Sequence, residues 1–149
     1  LEAVVSILLF GFGHILAALA VYLNHRFVFH GKLGRYPILK YFKRLHGMHH
    51  AHAYDEKRND YFEPLWFKVL FFAFLLIFGI FINFFFTLGL LSFGMLYAYR
   101  HVSIHNPDRT SRFSKHHYYH HCVDRRMNYS GIYPVIDYIF GTAAAQKRK

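Results

Sequence analysis

The stretch Trp66–Tyr99, WFKVLFFAFLLIFGIFINFFFTLGLLSFGMLYAY, decides the fold of this 149-residue chain because it is almost entirely apolar. As one straight helix it would be about 51 Å long, whereas the hydrocarbon core of a bilayer is about 30 Å thick. Four residues near its middle can relax or turn the chain, namely Gly79, Asn83, Thr87 and Gly89. The stretch therefore fits either one overlong helix or a tight hairpin of two short helices.

A second apolar tract, Leu1–Leu23, is about 34 Å long as a helix, which is enough to cross a bilayer once. The tract has neither a basic leading region nor a small-residue cleavage site, so we expect a retained transmembrane span rather than a signal peptide. His14 is the one ionisable side chain well inside it. We expect His14 to bond to a neighbouring helix; the alternative is a polar group at a substrate channel.

The basic residues choose between the two arrangements of Trp66–Tyr99. All eighteen Lys and Arg lie within Arg26–Lys68, Arg100–Arg126 and Lys147–Lys149. Basic loops favour the cytoplasmic face of a membrane, and only a hairpin returns the first two of these segments to the same face. We therefore predict an all-α integral membrane helical bundle, with a hairpin turn within Ile80–Leu88 and a histidine-rich helical cap on the cytoplasmic face.

This pattern predicts a single domain made of four consecutive segments. Residues 1–23 form a transmembrane span, residues 24–65 a His-rich cytoplasmic segment, residues 66–99 the transmembrane hairpin, and residues 100–149 a second His-rich cytoplasmic segment. The net charge of +10 would also suit a nucleic-acid partner. Because the basic residues flank the apolar tracts, they favour membrane topology and anionic headgroups, and we expect no nucleic-acid partner.

Ten of the thirteen histidines fall into four regularly spaced motifs, whose spacings are H-x4-H, H-x2-H-H, H-x3-H and H-x2-H-H. In chain order they are His25 and His30; His46, His49 and His50; His101 and His105; His117, His120 and His121. Positions i, i+3 and i+4 share a helix face, so each H-x2-H-H should aim three imidazoles in one direction. The H-x4-H pair fits a regular helix less well, and we expect the chain to unwind there.

Imidazole is the commonest neutral metal ligand, and ten imidazoles suit two ions with about five each. Without metal, many buried ring nitrogens would lack partners, which is costly. We therefore predict a di-metal site bound by the ten histidines. The other three, His14, His52 and His116, are expected to be structural. Since metal-bound imidazoles usually donate their second N–H to a carboxylate or carbonyl, we expect Asp60 and Asp137 to support the ligands.

The histidine motifs and one downstream segment together resemble the fatty-acid hydroxylase superfamily over roughly residues 25–142. The segments that carry the resemblance are HRFVFH at 25–30, HGMHH at 46–50, HVSIH at 101–105, HYYHH at 117–121 and NYSGIYPVIDYIFGT at 128–142. The last is similar to the family's closing signature, N-F-G-x-x-x-P-x-W-D-x-x-F-G-T. It departs from that signature at Ser130, where the family usually has Gly, and at Ile136, where it usually has Trp. Neither position is a ligand.

The resemblance implies a membrane enzyme that uses O2 and two iron ions to hydroxylate or desaturate a lipid acyl chain, with zinc as an alternative occupant of the site. It implies no catalytic residues beyond the metal ligands. The H-x3-H spacing of the third motif resembles the fatty-acid and sphingolipid 2-hydroxylase branch. Because the sequence contains no haem-binding or flavin-binding segment, we expect electrons from a separate protein.

Three alternatives remain beside this interpretation. The first is a carotenoid or sterol hydroxylase with the same metal core. The second is a non-catalytic membrane subunit that keeps the fold as part of a larger complex. The third, a metal transporter, is disfavoured because the histidine motifs flank the apolar tracts instead of lying within them.

Overall fold

The computed structural model describes residues 1–54, 69–70, 73–74, 77, 79, 81–105 and 111–144. The helical elements bounded within these residues are α1 (Glu2–Leu23), a π-helical turn (Asn24–Phe29), a 3-10 turn (Leu33–Arg35), α2 (Pro37–His52), α3 (Phe84–Ile104), α4 (Arg112–Cys122) and α5 (Pro134–Ile139). Each of these elements is helical, so the prediction of an all-α fold is confirmed for this part of the chain.

The chain divides into two compact units and passes between them three times. The first unit combines Leu1–Ala20 with Glu63–Tyr99, and the second combines Val21–Phe62 with Arg100–Lys149. The first unit therefore contains most of the apolar sequence. The second contains all ten predicted ligand histidines.

Within the first unit, α1 and α3 cross with their backbones in contact at two glycines. A Cβ placed on Gly13 would lie 2.2 Å from the carbonyl oxygen of Phe86, and one on Gly89 would lie 2.1 Å from that of Phe10. Such distances leave no room for any side chain. Small residues at a helix crossing are typical of membrane helices, which associate through close packing.

A polar contact lies beside this crossing. The Ser92 hydroxyl donates to the Gly89 carbonyl at 2.7 Å, and Nδ1 of His14 lies 2.8 Å from the same hydroxyl oxygen. Since the hydroxyl proton is already used, His14 is the donor in the second bond. His14 thus bonds to a neighbouring helix, as expected from the sequence.

The surface of α1 is largely apolar. Within the part of the chain that the structure describes, one helical stretch of 28 residues, Glu2–Phe29, is long and apolar enough to cross a membrane. Its most apolar 18 residues have a mean hydropathy of 2.4. Only 11% of these residues are buried. Its exposed large side chains include Val4, Ile7, Leu8, Phe12 and Ile15. Such a surface is unfavourable in water and favourable in lipid.

The helical path is interrupted near the middle of the long apolar tract. Ile82 and Asn83 are not helical, and α3 begins at Phe84. A Cβ on Gly79 would lie 2.9 Å from Cγ2 of Thr87, whereas residues eight apart in one straight helix are separated by about 12 Å. The chain is therefore not a single straight helix here. That two helices cross a membrane and return to its cytoplasmic face stays a prediction.

Candidate metal centre

A π-helical turn after α1 brings the first two histidines together. In a π-helix an N–H bonds the carbonyl five residues earlier, and the N–H of His30 donates to the carbonyl of His25 at 3.1 Å. This wider turn places residues i and i+5 on one side, which suits the H-x4-H spacing. The expectation that the chain unwinds here was wrong, because the helix widens instead.

Nine of the ten predicted ligand histidines converge in two groups. The five-histidine group consists of His25, His30, His46, His50 and His120, and the four-histidine group of His49, His101, His105 and His117. In each group the potential ligand atoms all lie within 4.8 Å of one another. The structure therefore brings together residues from four separate segments of the chain.

Each H-x2-H-H motif divides its rings between the two groups. On α2, His46 and His50 belong to the five-histidine group and His49 to the four-histidine group. On α4, His120 belongs to the first and His117 to the second. The three rings of each motif are neighbours, with centroids 4.6–6.0 Å apart on α2 and 4.5–6.3 Å apart on α4, but they do not all enter one group. Neighbouring residues differ by about 100° around a helix, so the rings of one motif can reach two adjacent groups. His49 and His117 are the members that belong to the four-histidine group.

The nitrogens of the five-histidine group are spaced like ligands around one ion. His46 Nε2 lies 3.1 Å from that of His25 and 2.9 Å from those of His30 and His50. Nε2 of His120 lies 3.1 Å from those of His30 and His50, which are themselves 3.1 Å apart. Two imidazoles at right angles, each about 2.1 Å from a metal ion, have nitrogens about 3.0 Å apart.

Two backbone carbonyls set the tautomers of two rings in this group. Nδ1 of His25 bonds to the carbonyl oxygen of Tyr129, and Nδ1 of His120 bonds to that of Met127 at 2.7 Å. A carbonyl only accepts, so both Nδ1 atoms carry the proton, and in a neutral ring Nε2 then presents a lone pair. Lone pairs that converge on one point repel each other unless a cation lies between them. The arrangement thus fits a metal ion.

The rings of the five-histidine group are held neutral. Burial, reinforced by the neighbouring imidazoles, lowers the pKa of His50 to about 2, and burial with nearby cationic groups lowers that of His30 to about 3. Burial also lowers the pKa of His120 to about 4, although the Met127 carbonyl acts in the opposite direction. Metal binding requires neutral imidazole, so at pH 7 these ligands have no proton to release.

The four-histidine group is looser in its contacts. Nε2 of His105 lies 3.0 Å from Nε2 of His117 and 3.4 Å from that of His101. Burial lowers the pKa of His49 to about 3 and that of His105 to about 4, so these rings are also neutral. A set of neutral imidazoles suits iron, zinc or copper.

His121, the tenth predicted ligand, lies between the two groups. Its ring stacks on that of His50 with centroids 4.1 Å apart, and its centroid is 4.5 Å from that of His117. The side chain is buried, and among the described residues neither of its ring nitrogens has a hydrogen-bond partner. A buried imidazole without a partner is costly, so His121 stays a predicted metal ligand.

Asp137, one of the two predicted supporting acids, is buried, and among the described residues it accepts no hydrogen bond from a ring of either group. Its carboxylate accepts from Nε2 of His116 at 2.9 Å and from groups of Tyr129, Ser130 and Thr142. Burial by itself would raise the pKa of Asp137, but these hydrogen bonds outweigh it and the pKa is lowered. The sequence suggested that a ligand imidazole would donate its second N–H to Asp137. The imidazole that donates to Asp137 is that of His116, which is not a predicted ligand. Asp60, the other predicted supporting acid, lies outside the described residues.

The residues that orient the ligands were missed by reasoning from the sequence. The orienting atoms are the backbone carbonyls of Met127 and Tyr129, which no side-chain pattern reveals. Asn128 between them has a φ of 59°, and its side chain bonds the carbonyl of His116 and the N–H of Ala144. His116, expected to be structural, bonds to Asp137. The sequence signal that could have pointed to them was the closing segment 128–142, which lies a few residues after the last histidine motif.

The chain matches the family model described as "Fatty acid hydroxylase" over residues 10–142. This range includes both histidine groups, His121 and the segment that carries Asp137. Neither a search of curated proteins nor a search of solved structures gave a match. The family is membrane-associated and typically metal-dependent, in agreement with the apolar helix and the histidine groups described above. Because this match extends over most of its length, the chain belongs to the fatty acid hydroxylase family.

Proposed function

We propose that the chain is a membrane di-iron oxygenase that hydroxylates or desaturates a lipid acyl chain, using O2 and electrons from a separate protein. The observation that carries this proposal is the convergence of five Nε2 atoms, six pairs of which are 2.9–3.1 Å apart, next to a second histidine group. The family match supports the reaction class.

The donor set fits two metal ions. The five-histidine group would hold one ion, and the four-histidine group with His121 would hold the other. All these donors are neutral imidazoles, which bind iron and zinc alike. Iron is proposed because attack on an unactivated C–H bond requires redox chemistry, and zinc has none. Bound iron would supply the activation of O2 that no side chain can provide.

The residues of the chain itself hold and orient the ligands. The carbonyls of Tyr129 and Met127 keep His25 and His120 in the metal-binding tautomer. Burial excludes water from both groups and keeps the rings neutral. The apolar surface of α1 would hold the chain in the bilayer that supplies the lipid, with both histidine groups on the cytoplasmic face, where an electron-donor protein can reach them.

Replacing one ligand in each group tests the proposal. His50→Ala and His105→Ala each remove one ring, whereas His52→Ala on α2 removes a histidine outside both groups and serves as the control. We expect two irons per chain and a hydroxylated or desaturated lipid from the parent protein supplied with reductant. Each ligand variant should lose about one iron and nearly all product, while the control keeps both. The measurements are metal analysis of protein prepared without added zinc and mass spectrometry of extracted lipids.

Other results would contradict the proposal in distinguishable ways. Parent protein that binds no metal would refute the di-metal site. Parent protein that binds two irons and yields no product from any lipid would indicate a non-catalytic subunit. Oxidised carotenoid or sterol in the extracts, with unchanged acyl chains, would favour the alternative substrates.

A further inference from the structure

Asp137 is the most highly bonded side chain of the closing segment. It has no exposed surface, and its two oxygens accept five hydrogen bonds. Oδ1 accepts from Tyr129 N and Thr142 Oγ1, each at 2.7 Å. Oδ2 accepts from Ser130 N at 3.0 Å, from His116 Nε2 at 2.9 Å and from Ser130 Oγ. A buried carboxylate is retained only with such bonds, so its surroundings are built around it.

One peptide group links this carboxylate to a metal ligand. The carbonyl of Tyr129 and the N–H of Ser130 belong to the same peptide unit. The N–H donates to Asp137, and the carbonyl accepts from Nδ1 of His25. Hydrogen bonds on the two sides of a peptide polarise one another, so the carboxylate makes this carbonyl a better acceptor.

A second peptide group holds the other orienting carbonyl. The carbonyl of Met127 accepts from Nδ1 of His120, and the N–H of Asn128 in the same unit donates to the carbonyl of Thr142 at 2.8 Å. The N–H of Thr142 in turn donates to the backbone carbonyl of Asp137 at 2.8 Å. Both orienting carbonyls are thus held in place by the short stretch from Asp137 to Thr142.

We propose that Asp137 is a positioning residue of the five-histidine group, acting on His25 through the Tyr129–Ser130 peptide, with His116 holding the carboxylate in place. In many metal sites a carboxylate accepts directly from the ligand ring, and its loss weakens metal binding by about 10–100-fold. In this chain a peptide group stands between carboxylate and ring. This inference rests on the metal-binding part of the proposed function.

The relay from the carboxylate ends on His25, a member of the five-histidine group. Its loss should therefore weaken one ion and leave the other unchanged, which a general loss of folding would not do. The Ser130 hydroxyl donates to the Asp137 carboxylate, at a position where the family signature has Gly. Ser130→Gly keeps the backbone N–H bond, so we expect it to weaken binding less than loss of the carboxylate does.

Titration of each group alone with Co²⁺ tests the relay. The His105→Ala/His117→Ala background leaves the five-histidine group intact, and the His46→Ala/His50→Ala background leaves the four-histidine group. Adding Asp137→Asn should weaken Co²⁺ binding about 10–100-fold in the first background and shift the visible absorption of the bound Co²⁺. In the second background the affinity should change less than about twofold. Asp124→Asn, which removes an acid bonded to Arg126 outside both groups, is the matched control and should change neither.

Replacements of His116 test the relay independently if Asp137→Asn fails to fold. His116→Gln retains an N–H near the position of Nε2 and should keep Co²⁺ affinity within about threefold, whereas His116→Leu should show the loss. Unchanged affinity in Asp137→Asn, equal loss from both groups, or equal loss in His116→Gln and His116→Leu would overturn the inference. Parent backgrounds that bind no Co²⁺ would instead refute the proposed function, and the relay with it.

Discussion

Replacing Gly89 and Gly94 by Ala should change stability in opposite directions, although both glycines lie in α3. A Cβ on Gly94 meets no atom of the described chain within 4 Å. One on Gly89 would lie 2.1 Å from the Phe10 carbonyl oxygen and 2.9 Å from the backbone nitrogen of His14. The two replacements therefore share their effect on helix propensity and differ in their effect on the helix crossing.

The magnitudes follow from these contacts. Gly to Ala inside a helix stabilises by about 1 kcal/mol, which Gly94→Ala should retain in full. At Gly89 the helices must separate by about 1 Å, and such overpacking costs about 1–3 kcal/mol. The 2.8 Å bond between His14 and Ser92 would lengthen beyond hydrogen-bonding range, which costs about 1 kcal/mol more. Gly89→Ala should thus destabilise by about 1–3 kcal/mol in net terms.

Thermal unfolding of the purified chain in detergent measures both effects. For a chain of this size about 1 kcal/mol corresponds to about 2–4 °C, so Gly94→Ala should melt higher and Gly89→Ala lower than the parent. Gly11→Ala in α1 is a control, because a Cβ there also meets no described atom within 4 Å. A Gly89→Ala variant that melts as high as Gly94→Ala would refute the close crossing of α1 and α3.

Two further predictions concern the second unit. The metal-free protein should be acid-labile. His49, His50 and His120 have folded pKa values of about 3, 2 and 4, against about 6.5 when unfolded. The folding stability is therefore complete above pH 6.5 and is lost as the pH falls towards the folded values, because the unfolded chain takes up protons first. Each shift taken by itself corresponds to about 2 kcal/mol at pH 5. The rings lower one another's pKa, so these values do not add, but one of them is already a large share of the stability of a domain. Equal melting temperatures of metal-free protein at pH 7 and pH 5 would contradict this. Asn128→Gly accommodates the φ of 59° but removes the side-chain bonds to the His116 carbonyl and the Ala144 N–H, so it should destabilise the fold by about 2–4 kcal/mol in denaturant unfolding. A loss below about 0.5 kcal/mol would show that water replaces the side chain.

The spacing of residues along the chain was sufficient to predict the helical class and to single out the nine histidines that the two groups contain. Apolar length, the four histidine motifs and the closing segment are local patterns, and a helix converts local spacing into a shared face. His46 and His50 illustrate this, because their i and i+4 positions bring both rings to the five-histidine group. The family match supports the same interpretation.

The limits of the prediction appear where a distant partner chooses among the faces of a helix. His49 and His50 are neighbours in sequence, yet they belong to different groups, because the ring of His49 meets that of His105 whereas the ring of His50 meets that of His30. His25 and His30 meet through a π-helical turn, which the spacing permits without requiring it. These choices depend on packing between segments that are far apart in the chain.

The amino-acid sequence by itself determined that this protein is helical, has at least one stretch suited to a membrane, and carries ten histidines spaced for metal binding. The tertiary structure alone decided which rings share a group, which tautomer His25 and His120 adopt, and that the Tyr129–Ser130 peptide lies between Asp137 and His25. The physical reason is that spacing encodes contacts within a helix. A backbone carbonyl such as that of Tyr129 meets a ring 104 positions away only after the chain has folded.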